Sequence, residues 1–118
     1  EDVVFVANTS GGVNAVLRSL LKGSGKVLCL NLAYQMVKNT LEYLKGAFGE
    51  AVVTSEISLP FTEDNILSTI QSTLDANPDI SFAVIDHITS CPAMVLPIDR
   101  IIPMLKQRQI TVLVDGAH

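Results

Sequence analysis

The residues of this chain best suited to chemistry are two Asp–His groups, and each follows an apolar run. Val112-Leu113-Val114 leads into Asp115-Gly116-Ala117-His118, and Phe82-Ala83-Val84-Ile85 leads into Asp86-His87-Ile88-Thr89-Ser90. A carboxylate at the end of a buried strand is costly unless it meets a partner. Exposure at the strand end would remove the cost for Asp115; so would a protonated ring nitrogen facing it. Asp86 beside His87 reads first as a structural hydrogen-bonded pair. A metal-dependent hydrolase is the rival reading, in which Asp86, His87, Asp115 and His118 hold a divalent ion.

A third group lies near the start. Thr9-Ser10-Gly11-Gly12 follows the apolar run Val3–Ala7 and opens a helical pattern. The first N–H groups of a helix have no partner within the helix, and its dipole is positive there, so the segment suits an anion. The glycines let a phosphate approach and the hydroxyls add donors. An ordinary N-cap explains the same residues equally well. The G-x-G-x-x-G dinucleotide fingerprint is absent. Gly23-Ser24-Gly25-Lys26 lacks the earlier glycine of a P-loop and precedes a strand instead of following one.

The elements that must position these residues alternate. The pattern predicts strands at Val3–Ala7, Lys26–Leu30, Ala51–Ile57, Ile80–Ile85 and Ile110–Val114. Between them it predicts a helix from Val13 to about Lys22, closed by Gly23-Ser24-Gly25, and another over Tyr34–Leu44. A third helix has Thr62 as N-cap, carries Ile66, Ile70 and Leu74, and stops at Asn77-Pro78; a fourth spans Pro97–Gln107, with Pro103 inside it. Strands alternating with helices argue for βαβ units, hence an α/β fold of three layers, α/β/α, with a mainly parallel sheet. Four of the five expected strands end in unusual polar residues, at Asn8, Asn31, Asp86 and Asp115. In a parallel sheet these ends converge on one edge, where open α/β sheets bind ligands.

Composition narrows the function. The chain has 118 residues and reads as one unit over 1–118. It is 48% hydrophobic, which suits a sheet buried under helices. A net charge of -4 with scattered basic residues argues against nucleic acid and against an electrostatic membrane patch. No apolar run approaches the roughly 18 residues of a membrane span. Cys29 sits in an apolar strand and reads as core, while Cys91 lies in a loop; the spacing gives neither a disulfide framework nor a zinc pair, so a reducing, cytoplasmic setting is expected.

Taken in order, three segments resemble the class V aminotransferase-fold enzymes, which use pyridoxal 5′-phosphate (PLP). They are Asn8-Thr9-Ser10-Gly11-Gly12-Val13-Asn14; Phe82–Ser90 with the downstream Leu96-Pro97-Ile98; and Val112–His118. The branch most similar is that of isopenicillin N epimerase-like proteins and related cysteine lyases, with cysteine desulfurases further away. The resemblance implies a piece of the large domain of a PLP enzyme of fold type I, cut at both ends and without the small domain. It implies that Thr9, Ser10 and the Gly11 backbone hold the cofactor phosphate, that Tyr34 stacks on the ring, and that Ser90, with Thr89, lies near the ring hydroxyl. Asp115 would pair with the ring nitrogen and His118 would contact the ring hydroxyl, which makes these two the catalytic residues.

The lysine that binds the cofactor lies further along in that family, and Lys22, Lys26, Lys38, Lys45 and Lys106 do not match it. The resemblance implies a parent, expected to be a homodimer, that acts on a small amino acid as an epimerase, lyase or desulfurase, and a fragment that is inactive alone. A non-catalytic structural or binding module is the remaining alternative. Cys91 does not match the loop nucleophile of desulfurases.

Overall fold

A computed structural model of the chain describes residues 2–23 and 25–118. Its first helix, α1 (Thr9–Leu20), begins where Asn8 leaves the extended conformation and accepts the Gly11 N–H at 2.7 Å. That cap satisfies one of the donors a helix start leaves open. Val13 and Leu17, four residues apart, are the buried stripe of α1. Then β1 (Lys26–Leu30), α2 (Gln35–Phe48), β2 (Ala51–Ser55), α3 (Glu63–Ala76), β3 (Ile80–Asp86), α4 (Ile98–Gln107) and β4 (Thr111–Asp115) follow in strict alternation.

The strands form one sheet in the order β2-β1-β3-β4, and every pairing is parallel. Alternate side chains face opposite layers. Val27, Cys29, Phe82 and Val84 pack with Val13 and Leu17 of α1 and with Val37, Leu41 and Leu44 of α2. Leu28, Leu30, Ala83 and Ile85 pack on the other side with Ile66, Ile70 and Leu74 of α3 and with Ile101 and Leu105 of α4. This is the three-layer α/β/α arrangement that the alternation implied. Each fully buried Leu or Ile contributes about 1.5–3 kcal/mol relative to exposure.

Local signals set the helix ends. Thr62 caps α3 by accepting the Asn65 N–H, and Glu63 and Asp64 follow in the first turn. Arg100 of α4 reaches Glu63 at 3.1 Å, an exposed pair of small energetic weight. Gly49 ends α2 in the left-handed region at φ 72°. At Gly23, φ is 77° and a Cβ would run into the Phe48 carbonyl oxygen, so only glycine fits there. Ser24, which the sequence assigns to the same helix closure, lies outside the described residues.

The strand expected at Val3–Ala7 does not form. The sheet has four strands rather than five, and Val3, Val4, Phe5 and Val6 are all exposed, Phe5 fully so. A β-branched run favours extended backbone, but a strand also needs a hydrogen-bonded neighbour. No described residue pairs with this run. It still packs locally, since a Cβ on Gly12 would lie 3.3 Å from Val6 Cγ2. Helix α1 begins four residues earlier than the apolar spacing indicates, because Thr9-Ser10-Gly11-Gly12 forms its first turn instead of a loop before it.

Candidate active site

All four strands run the same way, so their carboxyl ends share one edge. Asp86 closes β3 and Asp115 closes β4, and the two are Cα partners in the parallel register. Counting in twos from Phe82, Val84 and Leu113, both carboxylates face the α1/α2 layer. Both are buried, at 5% and 6% exposure. Here α1 presents its N-terminus, with Thr9 and Ser10 as its first two residues.

A cavity of about 330 Å³ lies between these elements. Thr9, Ser10, Tyr34, Ser90, Asp115 and His118 line it, as do Asn8, Asp86, Ile88 and Ala117. Of the expected site residues, Gly11 does not. Its N–H is committed to the Asn8 side chain. The amides left for an anion are those of Thr9 and Ser10, beside their hydroxyls. Thr89 also turns away from the cavity: it is fully buried, and its hydroxyl bonds Pro92 O and the Met94 N–H, which holds the turn that presents Ser90. Asn31 is taken up by structure too. Its side-chain amide exchanges two hydrogen bonds with the Ile57 backbone, at 2.9 and 3.0 Å, and ties the ends of β1 and β2 together.

The two carboxylates differ in their partners. Asp115 Oδ1 accepts the Ala117 N–H at 3.0 Å, which folds the chain after β4 back over the site. Asp86 Oδ2 is buried without a hydrogen-bond partner. Burial, and then the charge of Asp115, push the Asp86 carboxyl up to about 6. The backbone of Tyr34, His118 and Lys38 pull it the other way. Neighbouring Cys29 is pushed up to about 11, chiefly by burial, so this thiol is inert.

Sequence reasoning gave Asp86 no role toward an organic ligand. The available signal was that Asp86 and Asp115 each end an apolar run of similar length. Their lateral register was not visible. Among the described residues no group of three or more His, Cys, Asp and Glu side chains is placed to share an ion, and His87 does not line the cavity. The metal-hydrolase reading is therefore not favoured.

The geometry suits a flat ligand that is anionic at one end and cationic at the other. Helix-start amides and hydroxyls meet the anion, a carboxylate pair meets the cation, and Tyr34 offers a ring. The orphaned Asp86 oxygen is what a cationic ligand edge would complete.

No protein-family model matches the chain. Among curated proteins it is 30% identical over 134 residues to an L-cysteine desulfhydrase of Arabidopsis thaliana, with all of this chain and 29% of that protein covered. It is 21% identical to the hercynylcysteine sulfoxide lyase of Schizosaccharomyces pombe, again over its whole length and 30% of the relative. Among solved structures it superposes on the cystine C–S lyase C-DES, in complex with its product cysteine persulfide, with a TM-score of 0.81 and 19% identity. That match covers 94% of this chain and 30% of C-DES. A C-DES variant with glycine covalently linked to its PLP cofactor gives a TM-score of 0.75 at 16% identity.

By sequence the chain is a relative of cysteine desulfhydrases. Its fold is that of a segment of C-DES, one form of which carries a covalently linked PLP. It spans 20–30% of the length of the curated relatives it matches.

Proposed function

We propose that this chain is the cofactor-cradling segment of a PLP-dependent C–S lyase acting on a cysteine-type amino acid. The observation that carries this is the juxtaposition, in one cavity, of the α1 N-terminus with the buried Asp86–Asp115 pair. The sequence relatives support the lyase class over the epimerase and desulfurase alternatives. A homodimeric parent in a reducing, cytoplasmic compartment is part of the same proposal, and two free cysteines agree with such a compartment. No helix among the described residues is long and apolar enough to cross a membrane.

The residues present fit the cofactor. Thr9 and Ser10 would hold its phosphate through amides and hydroxyls, with Asn8 fixing the helix start beneath them. Tyr34 would lie against the ring, and Ser90 and His118 would stand near its polar substituents. Asp115 would hold a proton on the ring nitrogen, because an anionic partner favours the charged form. When bound, the cofactor supplies an electron sink for bond cleavage at the amino acid. None of the described lysines lines the cavity, so the chain's own contribution is binding, orientation and charge.

The test is a titration of the chain with PLP. Weak saturable binding is expected without a covalent adduct. Thr9→Ala with Ser10→Ala should weaken binding by about tenfold or more, as loss of charge-assisted hydrogen bonds does. Borohydride trapping of PLP on one specific lysine of this chain would show that the catalytic lysine had been misassigned. Absence of saturable binding would remove the cofactor reading.

A further inference from the structure

The carboxylate pair does more than a single ring-nitrogen partner requires. Two buried carboxylates lie side by side in register, and one oxygen of Asp86 has nothing to accept from. The groups that face Asp86 come from every neighbouring element: Asp115 from β4, His118 beyond it, Lys38 and the Tyr34 backbone from the start of α2, and the Cys29 thiol from β1. Lys38 is the one fixed cation among them, and its Nζ donates to the Asn31 carbonyl at 2.9 Å. Among the described residues, two adjacent buried negative charges therefore lack a full counter-charge. Such a pair takes up a proton or a cation.

We propose that Asp86 and Asp115 form a proton-exchanging counter-charge, in which Asp86 carries a proton until the protonated ring nitrogen of the ligand displaces it. This rests on the reading of the cavity as a PLP-type site. The balance is simple. The ring nitrogen keeps its proton, the Asp86 O–H bond breaks, and that proton leaves to solvent. No electrons change hands. Both carboxylates then face one cation, and Asp86 Oδ2 gains the partner it lacks. The elevated titration of Asp86, caused by burial and then by Asp115, sets the range in which the exchange is visible.

The probe is pyridoxine 5′-phosphate, which has an alcohol in place of the aldehyde and so forms no lysine adduct. Calorimetry in buffers of different ionisation heat counts the protons released. At about pH 5.5 the wild-type chain should release up to about one proton more than Asp86→Asn, and at about pH 8 the difference should vanish. Taking the difference cancels proton exchange by the ligand phosphate, which both proteins share. Inorganic phosphate, which lacks the ring, should show no difference at either pH. Because Asp86→Asn could disturb the fold, carboxyl NMR on the wild-type chain is the second measurement: the Asp86 midpoint should fall on ligand binding. Binding with equal proton release in both proteins and an unmoved Asp86 midpoint overturns this inference and leaves the cofactor reading standing. No binding of the probe at either pH overturns both.

Discussion

Replacing Asp86 by Asn should make the ligand-free chain more stable at alkaline pH and leave it unchanged in acid. The carboxyl is pushed from its ordinary 3.8 up to about 6 in the folded chain. Below 3.8 it is neutral whether the chain is folded or not, and it costs nothing. Between 3.8 and about 6 the folded chain keeps a proton that the unfolded chain has released, so stability falls as pH rises. Above about 6 the full cost is present. At about 1.4 kcal/mol per pH unit, that cost is about 3 kcal/mol.

Asn removes the charge at nearly the same volume but brings an amide that needs its own partners. A net gain of about 1–3 kcal/mol is therefore expected at about pH 8. For a chain of this size that corresponds to a rise of roughly 5–10 °C in melting temperature. Urea unfolding of both proteins at about pH 4 and about pH 8 measures it, and the difference between proteins cancels titrations they share. A stability difference independent of pH, or a less stable variant at pH 8, would refute the claim that Asp86 is a strained carboxylate.

Three further outcomes follow from named contacts. In the full-length parent, Asp115→Asn should abolish turnover of an amino-acid substrate while cofactor occupancy, read by absorbance, stays largely intact; near-normal turnover at full occupancy would remove Asp115 from the mechanism. Asn31→Ala should cost about 1–3 kcal/mol in urea unfolding, since it deletes both bonds to the Ile57 backbone and leaves buried peptide groups without partners. Alkylation of the native chain at about pH 8, read by mass spectrometry, should label exposed Cys91 and spare Cys29, whose burial holds its thiol at about 11.

The sequence by itself determined the layers and the edge at which the chemistry sits. Short continuous apolar runs such as Phe82–Ile85, buried on both faces, and period-3.6 stripes such as Ile66, Ile70 and Leu74 are local signals, and local sterics and burial suffice to produce them. The strict alternation then allows little but a parallel sheet, and polar residues closing three of its strands mark the carboxyl edge. Thr62 as a cap and Cys29 as core were legible for the same reason.

What stayed hidden depends on neighbours far along the chain. Val3–Val6 has the side chains of a strand, but pairing is a property of two segments, and no described segment supplies the second. Gly11 has the look of a phosphate contact, but its amide is taken by Asn8 three residues back. The lateral register that sets Asp86 against Asp115 joins residues 29 positions apart. No local pattern encodes that distance. Only the stacking of β3 on β4 turns two ordinary strand-end aspartates into a buried pair of like charges, and only that burial gives Asp86 a reason to exchange its proton.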